Sequence, residues 1–244
     1  METQSNESNT ELADYWARAA TPSGRASLTL RSRFKRSTWN AVTGTTIGLK
    51  RLFDIFGSTC ALIVLSPILA ITAACIKFED PGPVFFTQKR VGLKGNSFLI
   101  WKFRSMVSDA EKVAQHMIEL QQIQNTVEMK LAGDPRVTRV GNFIRKYSID
   151  ELPQFWNVFI GDMSIVGPRP VVTAEVVGYT VEERQRLLAK PGLTCFWQIG
   201  GRTDLNFENQ VRLDVEYIRS NNIWLDIKLL LLPVPAVLLG KGAY

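Results

Sequence analysis

Ile55-Phe-Gly-Ser-Thr-Cys-Ala-Leu-Ile-Val-Leu-Ser66-Pro67-Ile-Leu-Ala-Ile-Thr-Ala-Ala-Cys-Ile76 is a run of 22 residues without a charge. A helix needs about 20 apolar residues to cross a bilayer, so the length fits a membrane segment. Ser66-Pro67 lies at its centre, where the proline ring removes an internal N–H and clashes with the preceding turn, and a kink is expected there. Basic residues flank both ends, Lys50 and Arg51 before it and Lys77 after it, with Lys89 and Arg90 soon following. Basic flanks prefer the cytoplasmic side, which would place both ends there. A helix that enters one leaflet, breaks at Ser66-Pro67 and returns satisfies both observations. A kinked spanning helix is equally consistent with the residues alone.

Composition sets the frame around this run. A chain of 244 residues with 45% hydrophobic content has room for one ordinary domain plus appendages and is not disordered as a whole. A net charge of +6 fits a protein that meets anions, whether phosphorylated ligands, acidic head groups or nucleic acid. Nucleic acid is the weakest of these, because the basic residues are not interleaved with aromatics along one face. His116 is the single histidine and no Cys/His ligand spacing occurs, which argues against a zinc site or a Ser/His/Asp triad. Any metal is expected to be oxygen-bound. Cys60, Cys75 and Cys195 give no disulfide framework and read as small buried hydrophobes in a reducing setting.

The fold class expected is α/β, mostly helical with a few short strands, in three regions. Residues 1–45 are polar, with a basic cluster at Arg31, Arg33, Lys35 and Arg36, and read as a flexible arm rather than a secretory signal. Residues 46–80 hold the apolar run, and residues 81–244 a catalytic domain. Within that domain Phe78 to Gly92 reads as a turn leading into a strand, and Phe98 to Met106 as a second strand. The alternation of Trp101 and Phe103 with Lys102 and Arg104 would set the two cations on one face. Residues 107–132 and 137–145 have helical spacing, and a charged helix is expected over about 181–189. The apolar end from Ile223 to Gly240 is interrupted by Asp226, Lys228, Pro233 and Pro235. It reads either as interfacial, with Trp224 as anchor, or as core.

The chemistry concentrates in Arg145-Lys-Tyr-Ser148-Ile-Asp150-Glu151-Leu-Pro153-Gln154. Ser148-x-x-Glu151 matches a capping box, but Pro153 would then fall where its missing N–H deletes an intrahelical bond. A helix start near Asp150 is expected instead, with the acids at an N-terminus that favours their ionised forms. Two adjacent carboxylates suit distinct roles, one as nucleophile and one holding a hard cation such as Mg²⁺ together with substrate phosphate oxygens. Arg145 lies one turn earlier, suited to neutralising phosphate. In Gly161-Asp-Met-Ser-Ile-Val-Gly-Pro168-Arg169-Pro170, read as a loop, two prolines hold Arg169 for bidentate phosphate recognition. Trp197, Gln198 and Arg202 offer an aromatic surface, an amide and a cation on which a nucleobase could stack and bond.

In chain order, the Ser66-Pro67 break, Lys102-Phe-Arg104-Ser-Met106, Asp150-Glu151-Leu-Pro-Gln154, Gly161 to Pro170 and Trp197-Gln198-x-x-Gly-Arg202 resemble the bacterial sugar transferases. These are monotopic polyprenyl-phosphate phosphoglycosyl transferases, and the resemblance covers about Lys50 to Tyr244. It implies a re-entrant helix with both ends cytoplasmic, at the bacterial inner membrane, with the catalytic domain facing the cytoplasm. It also implies transfer of a sugar 1-phosphate from a UDP-sugar to undecaprenyl phosphate, with release of UMP, as the first membrane step of exopolysaccharide or other glycoconjugate synthesis. The nucleophile forming a covalent phosphosugar intermediate falls on Asp150 and the Mg²⁺ ligand on Glu151. Phosphate or nucleotide contacts fall on Arg145 and Arg169. Beside the large members, with their four-helix membrane region and extra domain, the chain is expected to be the short form with a non-matching arm at 1–49, and its 107–132 segment is longer than in the smallest ones. The Gly-Ala-Tyr ending resembles hexose-using members. A homo-oligomer is compatible with all of this. Two rival readings stand beside it, a Mg²⁺-dependent hydrolase of lipid-linked pyrophosphates and a basic membrane-anchored adaptor of a polysaccharide assembly complex.

Overall fold

The computed structural model describes Thr21 and residues 47–119, 134–195, 197, 205–220 and 223–231. The arm at 1–45 apart from Thr21, residues 120–132, Gln198, Arg202 and the tail beyond Leu231 lie outside the described residues. The chain divides into two units, Met1–Lys50 and Arg51–Tyr244, and the second contains the strands and the carboxylate pair.

The apolar run forms two helices, α1 (Ile47–Val64) and α2 (Ser66–Glu79), bent by 59° at Leu65. Pro67 supplies no N–H to the carbonyl four residues back, that of Ile63, and the Ser66 hydroxyl donates to it instead at 2.7 Å. The helical ladder is otherwise kept on both sides, by Leu65 N–H to Ala61 and Leu69 N–H to Leu65. The serine therefore satisfies the acceptor that the proline orphans, and the break stays one residue long. No single helix among the described residues is long and apolar enough to cross a membrane, while the bent pair passes that test together.

The two helices carry their polarity inverted. Leu52, Phe56, Ile63, Val64, Ile71 and Phe78 are exposed, Phe78 at 88%, whereas Asp54, Ser58 and Thr72 are buried. Contiguous exposed apolar surface of this kind marks a contact with an apolar medium or partner. Cys60 and Cys75 lie on these helices and are exposed, so the expectation of three buried thiols holds for Cys195 alone.

An antiparallel hairpin follows, β1 (Phe85–Val91) and β2 (Ser97–Phe103), in register from Phe85 opposite Phe103 to Val91 opposite Ser97. The second strand stops at Phe103, three residues short of the expected end, because Met106 leaves to bridge Val137. Ile76 of α2, Phe103 of β2 and Ile144 of α4 (Arg139–Lys146) form one core cluster. Glu79, the last residue of α2, accepts from the Arg139 and Val140 N–H groups at 2.7 and 2.9 Å, and Thr138 accepts from Gly141 N–H at 2.8 Å. Those bonds satisfy the open N-terminus of α4. A Cβ at Gly141 would stand 2.0 Å from the Ser105 carbonyl oxygen, so this helix lies directly on the backbone after β2. Helix α3 (Ala110–Glu119) occupies the start of the segment expected to be helical over 107–132.

The second core cluster, Ile100, Val158, Met163, Ile165, Val166, Tyr217 and Leu229, joins β2 to α5 (Gln154–Ile160), β3 (Ser164–Val166), α7 (Phe207–Ser220) and α8 (Ile223–Leu231). Strand β3 lies inside the segment read as a loop and pairs in parallel with β4 (Gly192–Thr194). A Cβ at Gly192 would meet Gly167 N at 2.1 Å, so a glycine is required where the strands meet. Asp54, 2% exposed, accepts from the Ser164 hydroxyl at 3.0 Å and Ile165 N–H at 2.9 Å, and Arg51 donates to the Val158 and Phe159 carbonyls. These bonds tie α1 to β3 and to the C-terminus of α5.

A short helix α6 (Thr173–Val177) follows the Pro168–Pro170 turn. The helix expected near 181–189 is a 3₁₀ segment, Glu183–Leu188, opened by a true capping box: Thr180 N–H donates to the Glu183 carboxylate and Glu183 N–H to the Thr180 hydroxyl. Its Arg186 is buried in an ion pair with Asp214 at 2.6 Å. In α8 Leu229 is buried in the core and Asp226 accepts from the Tyr217 hydroxyl, so over the described residues this end of the chain packs as core, with Trp224 exposed.

Candidate active site

Asp150 and Glu151 sit in a 3₁₀ turn, Ile149–Glu151, entered through Ser148 in the left-handed region at φ 54° and ψ 23°. The Ser148 side chain makes no cap, so the capping box drawn from the sequence does not form, and α5 starts at Gln154 with Pro153 immediately before it. The proline falls where its missing N–H costs nothing, but the α-helix begins after the acids and not near Asp150 as expected.

Three elements converge on the turn. Lys102, the penultimate residue of β2, donates from Nζ to Glu151 Oε1 at 2.6 Å. Arg145, in the last turn of α4, is fixed by its Nε–H to the Ser105 hydroxyl at 2.8 Å and lies within electrostatic reach of Asp150. Buried Gln154, the first residue of α5, hydrogen-bonds toward Glu151, and Arg169 acts on the same carboxylate. One turn further, buried Asn157 accepts from Trp101 N–H at 2.9 Å and donates to the Leu99 carbonyl at 2.7 Å. Its amide thus acts as a short strand partner for β2 and fixes Lys102 against the carboxylates.

The two acids are pushed apart in ionisation. Burial raises Asp150 and the neighbouring Glu151 charge raises it further, against Lys102 and Arg145, to a pKa of about 6. Glu151 is also opposed by burial, but the Lys102 charge and hydrogen bond, Arg169 and Gln154 outweigh it and hold its carboxyl below the usual range. The expected lowering of both acids by a helix N-terminus is therefore not found at Asp150. A single 3₁₀ turn has no stack of aligned peptide dipoles, and desolvation beside a like charge prevails. Such a division separates a carboxylate kept ionised from one that titrates near neutrality.

The other residues singled out in the sequence are placed differently. Arg104 is buried, paired with Asp80 at 3.2 Å and donating to the Asp80 carbonyl; it does not join Lys102, because β2 ends between them and the chain turns toward α2. Trp197 is 7% exposed with its indole beside Asp214, so it presents no open face for a base to stack on. Arg90, in sequence no more than a flanking charge, lies near Arg169 and Glu151. Neither Arg90 nor Asn157 carried a local sequence signal, since both act through residues 50 to 80 positions away.

Among the described residues no three His, Cys, Asp or Glu side chains gather to cage a metal ion. The donor set at the turn, two carboxylates with Glu151 held ionised, fits a hard divalent cation that takes one or two carboxylates and fills its other positions with water and substrate phosphate. Beside the turn, an apolar groove of about 440 Å³ is bounded by Pro153 and Trp156, by Phe85 and Trp101 of the hairpin, and by Leu62 and Leu69 on the two arms of the bent pair.

This chain is 45% identical over 195 residues to the galactosyl transferase CpsE of Streptococcus agalactiae, a match that covers 80% of this chain and 43% of that protein. It is 42% identical over 209 residues to the UDP-glucose:undecaprenyl-phosphate glucose-1-phosphate transferase of Escherichia coli, with 80% and 41% covered. It is 38% identical over 198 residues to the exopolysaccharide production protein ExoY of Rhizobium meliloti, with 80% and 88% covered. The chain thus spans about two fifths of the first two relatives and most of the third. Residues 45–240, which contain the bent helix pair, the hairpin and the carboxylate turn, match the family model described as bacterial sugar transferase, and the chain belongs to that family.

Proposed function

We propose that this protein transfers a sugar 1-phosphate, with glucose or galactose as the sugar, from a UDP-sugar to undecaprenyl phosphate and releases UMP. The observation that carries the reading is the adjacent Asp150 and Glu151 carboxylates, with Lys102 donating to Glu151 and Arg145 within electrostatic reach of Asp150, beside an apolar groove. An adaptor needs no such pair. The relatives, a galactosyl transferase and a UDP-glucose:undecaprenyl-phosphate glucose-1-phosphate transferase, support the same donor and acceptor classes.

In the first step an Asp150 carboxylate oxygen attacks the sugar-bearing phosphorus of the donor. The bridging P–O bond breaks and UMP leaves with its electron pair. In the second step a phosphate oxygen of the acceptor attacks the same phosphorus, the acyl-phosphate bond breaks and Asp150 is regenerated. With a pKa of about 6, Asp150 is about nine-tenths ionised at pH 7 and still a stronger nucleophile than an unperturbed carboxylate. Arg145 and Lys102 supply the positive charge that phosphoryl transfer needs over the nonbridging oxygens. Glu151, with Asp150 beside it, would hold Mg²⁺, which supplies charge neutralisation of the diphosphate when bound.

The exposed apolar surface of α1 and α2 and the Ser66-Pro67 break support insertion of the pair as a re-entrant helix in one leaflet of the bacterial cytoplasmic membrane, with the catalytic turn on the cytoplasmic side. On that geometry the groove lined by Leu62 and Leu69 opens from the hydrocarbon toward Pro153, two residues from Glu151, where a polyprenyl phosphate would present its head. Release of UMP from a panel of UDP-sugars, with and without undecaprenyl phosphate and beside Asp150→Asn, tests the proposal. Acceptor-dependent release lost in the variant supports it. Release that needs no acceptor favours the hydrolase, and undiminished release by the variant refutes the role of Asp150.

A further inference from the structure

Arg90 is the sixth residue of β1, and the strand does not end in solvent. Val91 N–H donates to the Val171 carbonyl at 2.9 Å, a bridge that stitches the end of the hairpin to the Pro168-Arg169-Pro170 turn. Arg90 is thereby held against that turn. Its Nη2 donates to Gln88 at 2.7 Å, and its Nη1 makes a long contact of 3.5 Å with the Pro170 carbonyl.

Two features of this arginine have no structural explanation. Its Nε is buried without a hydrogen-bond partner, a cost that a folded protein normally avoids. Its guanidinium also stands in the field of Arg169, and neither forms an ion pair among the described residues. An orphaned donor on a half-buried arginine, with the exposed Arg169 guanidinium beside it, describes a place that lacks an anion.

Lys102 acts on both carboxylates, but the arginines divide: Arg145 acts on Asp150, while Arg90 and Arg169 both act on Glu151 and on each other. A diphosphate has two phosphorus atoms, one attacked and one that leaves, and the charge released in the first step collects on the second.

We propose that Arg90 and Arg169, brought together by the Val91–Val171 bridge, hold the phosphate of the departing UMP, while Arg145 serves the phosphate that Asp150 attacks. This assignment rests on the reaction proposed above and adds Arg90 to the residues that touch the donor. It makes Arg90 a catalytic residue for the leaving group rather than a topological charge.

The test is calorimetric binding of UMP and of uridine, the latter at millimolar concentration, to the full chain in detergent. Wild type is compared with Arg90→Gln, Arg90→Lys and Arg139→Gln, the last removing the same charge from an exposed side chain. Arg90→Gln should weaken UMP about tenfold or more, the loss expected of a charge-assisted hydrogen bond, and leave uridine within about twofold. Arg90→Lys should recover part of the loss, and Arg139→Gln should change neither ligand. A parallel loss of UMP and uridine would make Arg90 a structural tie and overturn the assignment, as would wild-type UMP affinity in Arg90→Gln. Acceptor-dependent turnover by wild type separates the two levels. If turnover is present and Arg90→Gln binds UMP normally, only the assignment fails; if wild type neither turns over nor binds UMP, both fail.

Discussion

Replacing Asp150 by asparagine should abolish turnover and at the same time stabilise the fold. The carboxyl titrates at about 6 in the folded protein against an unperturbed 3.8, because burial and Glu151 disfavour its charge. An acid whose folded pKa is raised binds its proton more tightly in the folded state, so stability is highest at low pH and falls as pH rises from the unfolded value to the folded one. Integrating between these two values gives a cost of roughly 1 kcal/mol at about pH 4.5 and roughly 3 kcal/mol at about pH 7.5, where it levels off. Asparagine resembles the protonated acid in shape and cannot ionise, so the variant should escape that cost. For a chain of this size 1 kcal/mol moves Tm by about 2–4 °C, and the variant should melt up to about 6–12 °C above wild type at the higher pH. Partial exposure of the turn makes this an upper value. The assay is thermal unfolding of both proteins in detergent across that pH range, with UMP release measured in parallel. A difference in Tm that does not grow with pH, or an asparagine variant less stable than wild type at pH 7.5, would refute the claim that the acid is held in an unfavourable ionised state.

The same carboxyl sets the acid limb of the rate. With a pKa of about 6, kcat/KM for the donor should fall about tenfold from pH 7 to pH 5, where an unperturbed aspartate would lose under about a tenth, and Lys102→Met should move the limb to higher pH by removing a cation that favours the charged form. Arg104→Met should lower Tm by leaving Asp80 unpaired, with the KM of the surviving enzyme for the donor unchanged; a raised KM would return Arg104 to the substrate. Cysteines placed at Asn40 and Asn96, in a background lacking Cys60 and Cys75, should label from the same side in intact cells, and labelling from opposite sides would establish a spanning helix. Gly192→Ala should prevent close pairing of β3 with β4, seen as loss of folded protein on expression, since the added carbon has backbone rather than a flexible side chain in its way.

The order of motifs along the chain was enough to identify the family, because each is a contiguous group of residues whose chemistry does not depend on distant packing. The adjacent carboxylates were legible, as was the hairpin with its alternating aromatics. The bend was legible at Ser66-Pro67 because it follows from one missing N–H.

Properties that arise between segments were decided only by the tertiary structure. Ser148-x-x-Glu151 and Thr180-x-x-Glu183 are the same pattern in sequence, yet only the second caps, because Ser148 is in a left-handed turn that sends the chain from α4 into α5. Lys102 and Arg104 look equivalent on a strand, but the strand ends between them and sends one to Glu151 and the other to Asp80. The division of charge between Asp150 and Glu151 depends on which cation reaches which oxygen. Arg90 reaches the site through a backbone bridge across 80 residues. Local chemistry is written in neighbouring residues, whereas desolvation and long-range charge exist only once distant segments have excluded water from between them.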